Sequence, residues 1–508
     1  MNKLTVTVVI LLIGLLYRLT LTADGNFLFN MDNGRDMVDV REMVELKKFR
    51  LTGPTSAVEG LFNGPIWYYL LAIPFILSDG DPYGSILLEM VLWAVGGFFL
   101  LKLTSRFGVL ALVVSGVIWV ASNYIVLASV YAFNPNPVTF LTPLLIYLIE
   151  KYLTTKKLVY SILMWFLGGL FFNFEMNFGV YVPPIIFLTI VFSKRGKLIK
   201  ERNLWLGFLI FVAVLLPQVI FDLRHQFIMS KSVLHFLSES EVAKSFNQVP
   251  RIKLVYESFF NTLSATFFNQ KILTQLAVIL FLFSLFKFLK KRKEYKEVLF
   301  IICIMFILIP FIGYILLPVQ VNPWHLGAEM VATIFLVSAV LSILSKLGLI
   351  ARGTSLIISG LIIFYAVSNL FQYFTHDRFQ ANLDPSSYKN EIAAIDYVYQ
   401  KAEGNNFKVY TYLPSVIDYP YQYLFWWHGQ KRYGYIPGEY AYSPNKPQYI
   451  SNKEQFEGRK DNFSGLIFLI KEPDRIGYRT AWEGDFRGLE FISKEMVGPL
   501  EVEIRRAK

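Results

Sequence analysis

Apolar runs of about twenty residues recur along most of this chain, and that is the length at which an α-helix crosses the hydrocarbon core of a bilayer. The sequence has 508 residues, of which 54% are hydrophobic and 17% aromatic, and its mean hydropathy is +0.45. Such a composition excludes an ordinary soluble globule. Runs at 4–21, 83–103, 107–128, 138–153, 158–173, 178–193, 203–222, 271–289, 297–317, 326–345 and 354–372 predict a polytopic α-helical membrane protein with about eleven transmembrane helices. The first run partly resembles a signal peptide. Tyr17 and Arg18 near its end, and the lack of a small-x-small site, favour an anchor.

The net charge of +11 would suit a polyanion ligand if it formed a face, but the lysines and arginines sit in short links between apolar runs. That distribution is an orientation signal and excludes nucleic acid as a partner. The only cysteine, Cys303, lies inside an apolar run, so no intrachain disulfide exists and a packing role is expected.

The basic links also decide which loops share a side. The segment 64–77 (GPIWYYLLAIPFIL) is short, interrupted by Pro74 and rich in Trp and Tyr, so it is read as lying in the interface. With it left uncrossed, the basic links at 102–106, 151–157, 194–202, 287–296 and 346–352 all fall on the side of the N-terminus. The expectation is an integral protein of the plasma (inner) membrane with a cytoplasmic N-terminus. The outer face then holds the loop 22–82, the links 129–137 and 173–177, the long loop 222–270, the link 318–325 and everything after about 373. Function is expected there. An odd span count without a half-and-half repeat argues against a transporter built from internal repeats.

After about residue 373 the character changes. Residues 391–401 have helical spacing, whereas 407–413, 465–470 and 500–504 read as strands. The domains are therefore expected at 1–372, a transmembrane catalytic domain, and 373–508, a small extracytoplasmic α/β domain. The aromatic-dense 419–435 reads as ring packing in preference to a sugar-stacking surface.

Four constellations offer chemistry. The first outer loop carries MDNGRDMVDVREM (31–43). Asp32 is either a base open to a ligand or, with Asn33, the cap of a helix running from about Gly34 to Lys48. Asp36 and Asp39 read as a solvated face with Arg35 and Arg41. At PQVIFDLRHQF (217–227), Asp222, Arg224 and His225 emerge together at the bilayer surface. Arg224 either snorkels to lipid headgroups or grips a lipid-linked phosphate, with His225 adding charge. At YAFNPNP (131–137), Asn134 and Asn136 are fenced by prolines in a rigid turn that offers amides to substrate hydroxyls. Glu175 is a lone carboxylate in a very short outer link, where Asn173 and Asn177 are its structural partners or a substrate takes their place. Trp324 and His325 read as interfacial anchors. No metal motif appears, and no phosphate-cradling glycine loop stands out.

Taken in order, MDNGRD…REM, TGPTSAVEGLFNGPIWYYLL, YAFNPNP and PQVIFDLRHQF resemble the GT-C superfamily of membrane glycosyltransferases. The likeness is to its protein O-mannosyltransferase-like branch, which includes the aminoarabinose transferases of lipid A and the RgtA/B/C/D-like enzymes, and it covers about 1–372. The resemblance implies a GT-C fold with juxtamembrane helices in the first outer loop, an active site on the outer face and a polyprenyl-phosphate-linked sugar as donor. Asp32 matches the acidic residue of the family's first outer loop, and Arg35 and Glu42 match flanking positions. This chain departs from the aminoarabinose transferases in having Asn63-Gly64 where they have a Glu-Lys pair. It also has Asn134 and Asn136 where they place an aspartate. Those changes put a metal bridge between the loops in doubt, so a divalent metal is an open but unsupported cofactor, and they leave the donor phosphate to other residues, of which Arg224 is the candidate.

The expected function is thus an inverting glycosyltransferase acting on an acceptor hydroxyl of a protein, lipid or polysaccharide. Asp32 is the expected base, Arg224 and His225 the phosphate contacts, and Arg35, Asn134, Asn136, Glu175 and Asp222 the orienting residues. The alternative is a lipid-linked saccharide translocator or a non-catalytic membrane scaffold.

Overall fold

The computed structural model describes residues 2–239, 251–290, 295–444, 450, 452–458 and 463–507. Residues 240–250 of the expected long outer loop and 291–294 of the expected basic link therefore lie outside the described residues. Two compact units form. The first comprises Met1–Leu19, Arg50–Trp67 and Leu88–Arg378, and the second Thr20–Phe49, Tyr68–Leu87 and Phe379–Lys508. The expected domains followed chain order. These units cross it, because segments of the first outer loop cluster with the C-terminal residues.

Among the described residues, six helices are long and apolar enough to cross a bilayer: Lys3–Leu21, Tyr83–Thr104, Arg202–Arg224, Glu297–Leu316, Pro323–Leu344 and Leu349–Phe379. Two bent pairs raise the number to eight: Val109–Ala121 with Asn123–Ser129 at 57°, and Arg251–Thr266 with Lys271–Phe286 at 111°. Leu158–Phe174 and Met176–Phe192 are shorter apolar helices, and the remaining expected run forms Asn136–Thr155, whose first turns are polar and proline-bearing. The segment 64–77, read from sequence as interfacial, forms one short helix. Helix Ile66–Leu77 has 12 residues, with Pro74 inside, so it extends about 18 Å against a core of about 30 Å.

Arg18 ties the first helix into the bundle. It is fully buried, and its Nε donates to Ser129 Oγ at 2.6 Å while Nη1 donates to the carbonyls of Gly14 at 3.0 Å and Val120 at 3.3 Å. The guanidinium lies 3.8 Å above the Trp93 ring. Every one of these contacts offsets the cost of a charge away from water. Close approach is possible because residue 14 is glycine; a Cβ there would sit 2.4 Å from Trp93. Trp93 and Trp119 lock the adjoining helices by each donating its indole N–H to the other's carbonyl at 3.2 Å. Cys303 is buried, as a packing residue should be.

The second unit is built on a five-stranded sheet in the order β2-β1-β3-β5-β4, where β1 is Asn406–Tyr412, β2 Glu439–Ala441, β3 Phe463–Lys471, β4 Glu490–Val497 and β5 Leu500–Arg506. The β1 pairings with β2 and β3 are parallel, and those of β5 with β3 and β4 are antiparallel. The three expected strands are β1, β3 and β5, and the expected helix spans Tyr388–Ala402. β2 is only three residues long, and β4 is an edge strand with most side chains exposed and no apolar alternation to announce it. In helix Tyr419–His428, Tyr421, Tyr423, Leu424 and Phe425 are buried, so the aromatic stretch packs as rings.

Helix Met31–Glu45 belongs to this unit and packs on Tyr419–His428. A Cβ at Gly34 would meet the Pro420 nitrogen at 2.4 Å, so only glycine permits the approach. Arg41 is 1% exposed, sits 3.9 Å above the Phe456 ring and donates to the Gln422 carbonyl at 3.3 Å.

Candidate functional site

Two groups of polar side chains stand out, one in each unit. The first occupies the start of helix Met31–Glu45. Its cap is Asn30, whose side chain accepts from the Asp32 N–H at 3.1 Å, while Asn33 returns the bond to the Asn30 N–H at 3.3 Å. The expectation that Asp32 or Asn33 caps a helix starting near Gly34 is corrected by this. The asparagine three residues ahead of Asn33 completes a reciprocal box and starts the helix earlier. Asp32 is left in the first turn, where a carboxylate is stabilised by the free N–H groups and the helix dipole.

Arg35 holds the group together. Its Nη1 donates to Asp32 Oδ1 at 3.0 Å, and Nε and Nη2 reach Asp36 Oδ1 at 2.9 and 2.8 Å. Tyr68 donates its hydroxyl to Asp39 Oδ2 at 2.7 Å. The solvated face expected for Asp36, Asp39, Arg35 and Arg41 is not there. Arg35 is 7% exposed, Asp36 2% and Arg41 1%, because Tyr68 and helix Tyr419–His428 cover that side. Burial works against the Arg35 charge, yet Asp36 first, then Tyr68 and Asp32, hold it protonated well above the ordinary arginine range. Asp32 is the opened member of the group. Its side chain is 29% exposed, and its Oδ2 has no partner among the described residues. Glu42 is buried and accepts from the Asn452 side chain, so it braces the helix from the far end.

The second group gathers link residues of the first unit. Asn134 donates from Nδ2 to the Phe174 carbonyl at 2.6 Å, and Asn136 donates to the carbonyls of Ala128 at 2.9 Å and Tyr131 at 2.7 Å. Both side-chain amides thus donate to backbone carbonyls, as a rigid turn requires. Glu89 pins the same link by accepting from the Phe133 N–H at 3.2 Å. Glu175, 6% exposed, accepts from the Asn177 N–H at 3.1 Å, and Asn177 Nδ2 lies 3.2 Å from His325 Nε2. Burial pushes the Glu175 carboxyl up to about 7, against the Asn177 backbone and side-chain hydrogen bonds that favour its ionised form. His325 is 6% exposed, which corrects the anchoring expectation for it; Trp324 beside it is exposed.

The segment 217–227 divides. Asp222 accepts from the N–H groups of Met229 at 2.7 Å and Ser230 at 3.3 Å, and from the Ser230 hydroxyl at 2.6 Å. It therefore caps helix Ile228–Glu239. His225 stacks on Phe221 with centroids 4.0 Å apart. Arg224 is exposed at the end of Arg202–Arg224.

Glu329 was missed by the sequence reading. It is fully buried in the first turn of Gly327–Leu344, with neither carboxylate oxygen bonded among the described residues. The available signal was an acid inside an apolar run, which marks a functional position by default. Among the described residues no three His, Cys, Asp or Glu side chains converge as a metal-binding group.

The Asn63-Gly64 departure has a steric cause. The Gly64 N–H donates to the Asn173 carbonyl at 2.9 Å, and a Cβ on Gly64 would lie 1.8 Å from Asn173 Oδ1. A longer side chain has no room at this contact.

The family model described as dolichyl-phosphate-mannose-protein mannosyltransferase matches residues 63–221. The crystal structure of ArnT from Cupriavidus metallidurans bound to undecaprenyl phosphate is similar to this chain with a TM-score of 0.61 and 11% identity, over 99% of this chain and 97% of that one. The apo state of the same protein gives a TM-score of 0.63 and 11% identity, over 99% and 98%. No curated protein matches the sequence. At such identity the likeness establishes the fold, and it agrees with the family expected from the order of the motifs. Residues 63–221 thus match a mannosyltransferase family model, and the chain as a whole shares the fold of the ArnT structures.

Proposed function

We propose that this protein transfers a sugar from a polyprenyl-phosphate donor to an acceptor hydroxyl on the outer face of the plasma membrane. The matched family model carries a lipid-phosphate sugar in its description, and the ArnT structure was solved with undecaprenyl phosphate. One observation carries the reading: in a buried acid–base group, Asp32 presents a carboxylate oxygen that is accessible and has no partner among the described residues.

In the proposed step the acceptor oxygen attacks the anomeric carbon from the face opposite the phosphate. The bond between that carbon and the phosphate oxygen breaks, its electron pair stays on the phosphate, and the acceptor proton passes to Asp32. A phosphate leaves without needing a proton, so one base and one anion contact suffice, whereas hydrolysis of an ordinary glycoside takes two carboxyl groups. Arg35 fixes the rotamer of Asp32. Arg224 and His225 neutralise the departing phosphate. Glu175 orients a substrate hydroxyl. Asn134, Asn136 and Asp222 are positioning residues whose bonds hold the link and loop ends in place.

Reconstitution in liposomes with a labelled polyprenyl-phosphate sugar tests this. A transferase consumes the donor on one side and yields free polyprenyl phosphate with labelled acceptor. Movement of intact donor between leaflets without consumption would instead establish a translocator.

A further inference from the structure

The second unit buries more unsatisfied oxygen than its hydrogen bonds explain. Glu391 and Glu472 are 0% and 4% exposed. Both oxygens of Glu391 and Oε1 of Glu472 have no hydrogen-bond partner among the described residues. The Tyr421 hydroxyl and Ser387 Oγ, on residues 1% and 0% exposed, are unpartnered as well. Five unmet oxygens from three stretches of chain are uncommon in a folded interior, where nearly every buried polar atom is satisfied.

The backbone holds these stretches firmly. Ser387 precedes helix Tyr388–Ala402, its carbonyl accepts the Glu391 N–H at 3.0 Å, and residues 386–388 are stitched to Phe27–Phe29 by the bonds Phe29 N–H to Ser386 O and Tyr388 N–H to Phe27 O, both 2.9 Å. Glu472 follows β3 and donates its N–H to the Tyr412 carbonyl at 3.0 Å. Tyr421 comes from helix Tyr419–His428, which packs on Tyr388–Ala402. Glu391 feels the charge of Glu472, and the Tyr421 hydroxyl feels both. The other ionisable groups acting on the pair are Asp384 and Arg475, both exposed, and neither forms an ion pair with it.

We infer that Glu391 and Glu472, with the Tyr421 and Ser387 hydroxyls, form a binding site for one hard divalent cation of the Ca²⁺ class. The donor set is oxygen throughout, with no sulfur or imidazole, which is the ligand chemistry of hard cations and not of zinc or copper. The charge also fits. Two ionised carboxylates are neutralised by one divalent ion, which leaves no net charge buried. The ion would tie the N-terminal turn of Tyr388–Ala402 to the end of β3, and so brace the same unit that carries helix Met31–Glu45. The site is independent of the transfer reaction proposed above.

The test uses the full-length protein in nanodiscs, stripped with chelator and titrated with Ca²⁺ alone at pH 8. Expected are one saturable Ca²⁺ per chain by equilibrium dialysis with elemental analysis, and a rise in the unfolding midpoint that saturates with it. Glu391→Gln and Glu472→Gln should each weaken Ca²⁺ binding at least tenfold and abolish the rise. Should either variant fail to fold, Tyr421→Phe, which removes one neutral ligand, is expected to weaken binding a few-fold. Folded wild-type protein that binds no Ca²⁺, or binding unchanged across all folded variants, overturns the inference.

Discussion

Arg35 Nη1 lies 3.0 Å from Asp32 Oδ1, and the other oxygen of that aspartate is left without a partner among the described residues. The same guanidinium neutralises Asp36, which is 2% exposed. One arginine therefore supports a buried aspartate while aiming an accessible one.

Substitutions at Arg35 should separate these two services. Arg35→Ala strands the Asp36 charge, and breaking a buried pair costs about 3–5 kcal/mol. The folded yield in membranes should drop sharply. Arg35→Lys keeps a positive charge but not the planar fork. It should leave the protein largely folded, measured by size-exclusion profile, and lower transfer at least tenfold by loosening Asp32.

Gly64→Ala should destabilise the first unit without touching any charged group. The added carbon would sit 1.8 Å from Asn173 Oδ1 and 2.7 Å from Asn173 Cβ. Overpacking of this sort costs about 1–3 kcal/mol, read as a lower thermal midpoint. Asn173→Gly removes all three obstructing atoms, so the double variant should recover part of the loss.

In metal-free buffer the second unit should be most resistant to urea near pH 5. Glu483 and Glu501 are buried in part, but hydrogen bonds and charge from Lys471 and Arg479 hold both below the usual carboxylate range. Their contribution is present above the unfolded value of about 4.3 and disappears as pH falls through the folded values. Burial pushes Glu472 up to about 7, with Arg475 opposing and Asp384 adding, and pushes Asp418 up to about 6 against Gln422 and Lys453. For these the protonated form is favoured by folding, so stability is full below the unfolded values and is lost as pH rises through about 6 to about 7. Urea midpoints recorded from pH 3 to 9 should peak and then fall, and Glu472→Gln should flatten the alkaline side.

Arg224→Ala should behave oppositely to Arg35→Ala. The side chain is exposed and has no bond to the rest of the fold among the described residues. Folding should be unchanged, while KM for the lipid donor rises about tenfold or more, as loss of a charge-assisted phosphate contact predicts. Wild-type KM would remove Arg224 from the site.

What the sequence made legible follows from what local pattern can encode. Helical membrane segments are written in runs of about twenty residues, so the long apolar helices were readable, as were the brevity of Ile66–Leu77 and the proline inside it. Strands β1, β3 and β5 were readable because they are apolar; β4 was not, since an edge strand needs no such pattern. The burial of Asp36 and Arg41 was invisible. The atoms covering them belong to Tyr68 and to residues of the 419–456 region, hundreds of positions away for the latter. Nor did spacing reveal that Asn30 caps the helix, because Met31 stands between it and the acidic run. Asp32 and Arg35 stood out because charge is scarce in a chain of this hydropathy. Glu391 and Glu472 did not, since in a water-exposed domain acids are common and only the fold shows that these two are enclosed.

The most direct measurement is transfer of labelled sugar from a polyprenyl-phosphate donor by Asp32→Asn protein in nanodiscs, alongside donor binding by the same preparation. The amide keeps the shape and the Oδ1 contact to Arg35 but cannot accept the acceptor's proton, so turnover should fall by about 10²–10⁴-fold with donor affinity and folding unchanged. Turnover at the wild-type rate would contradict the role of Asp32 as the base.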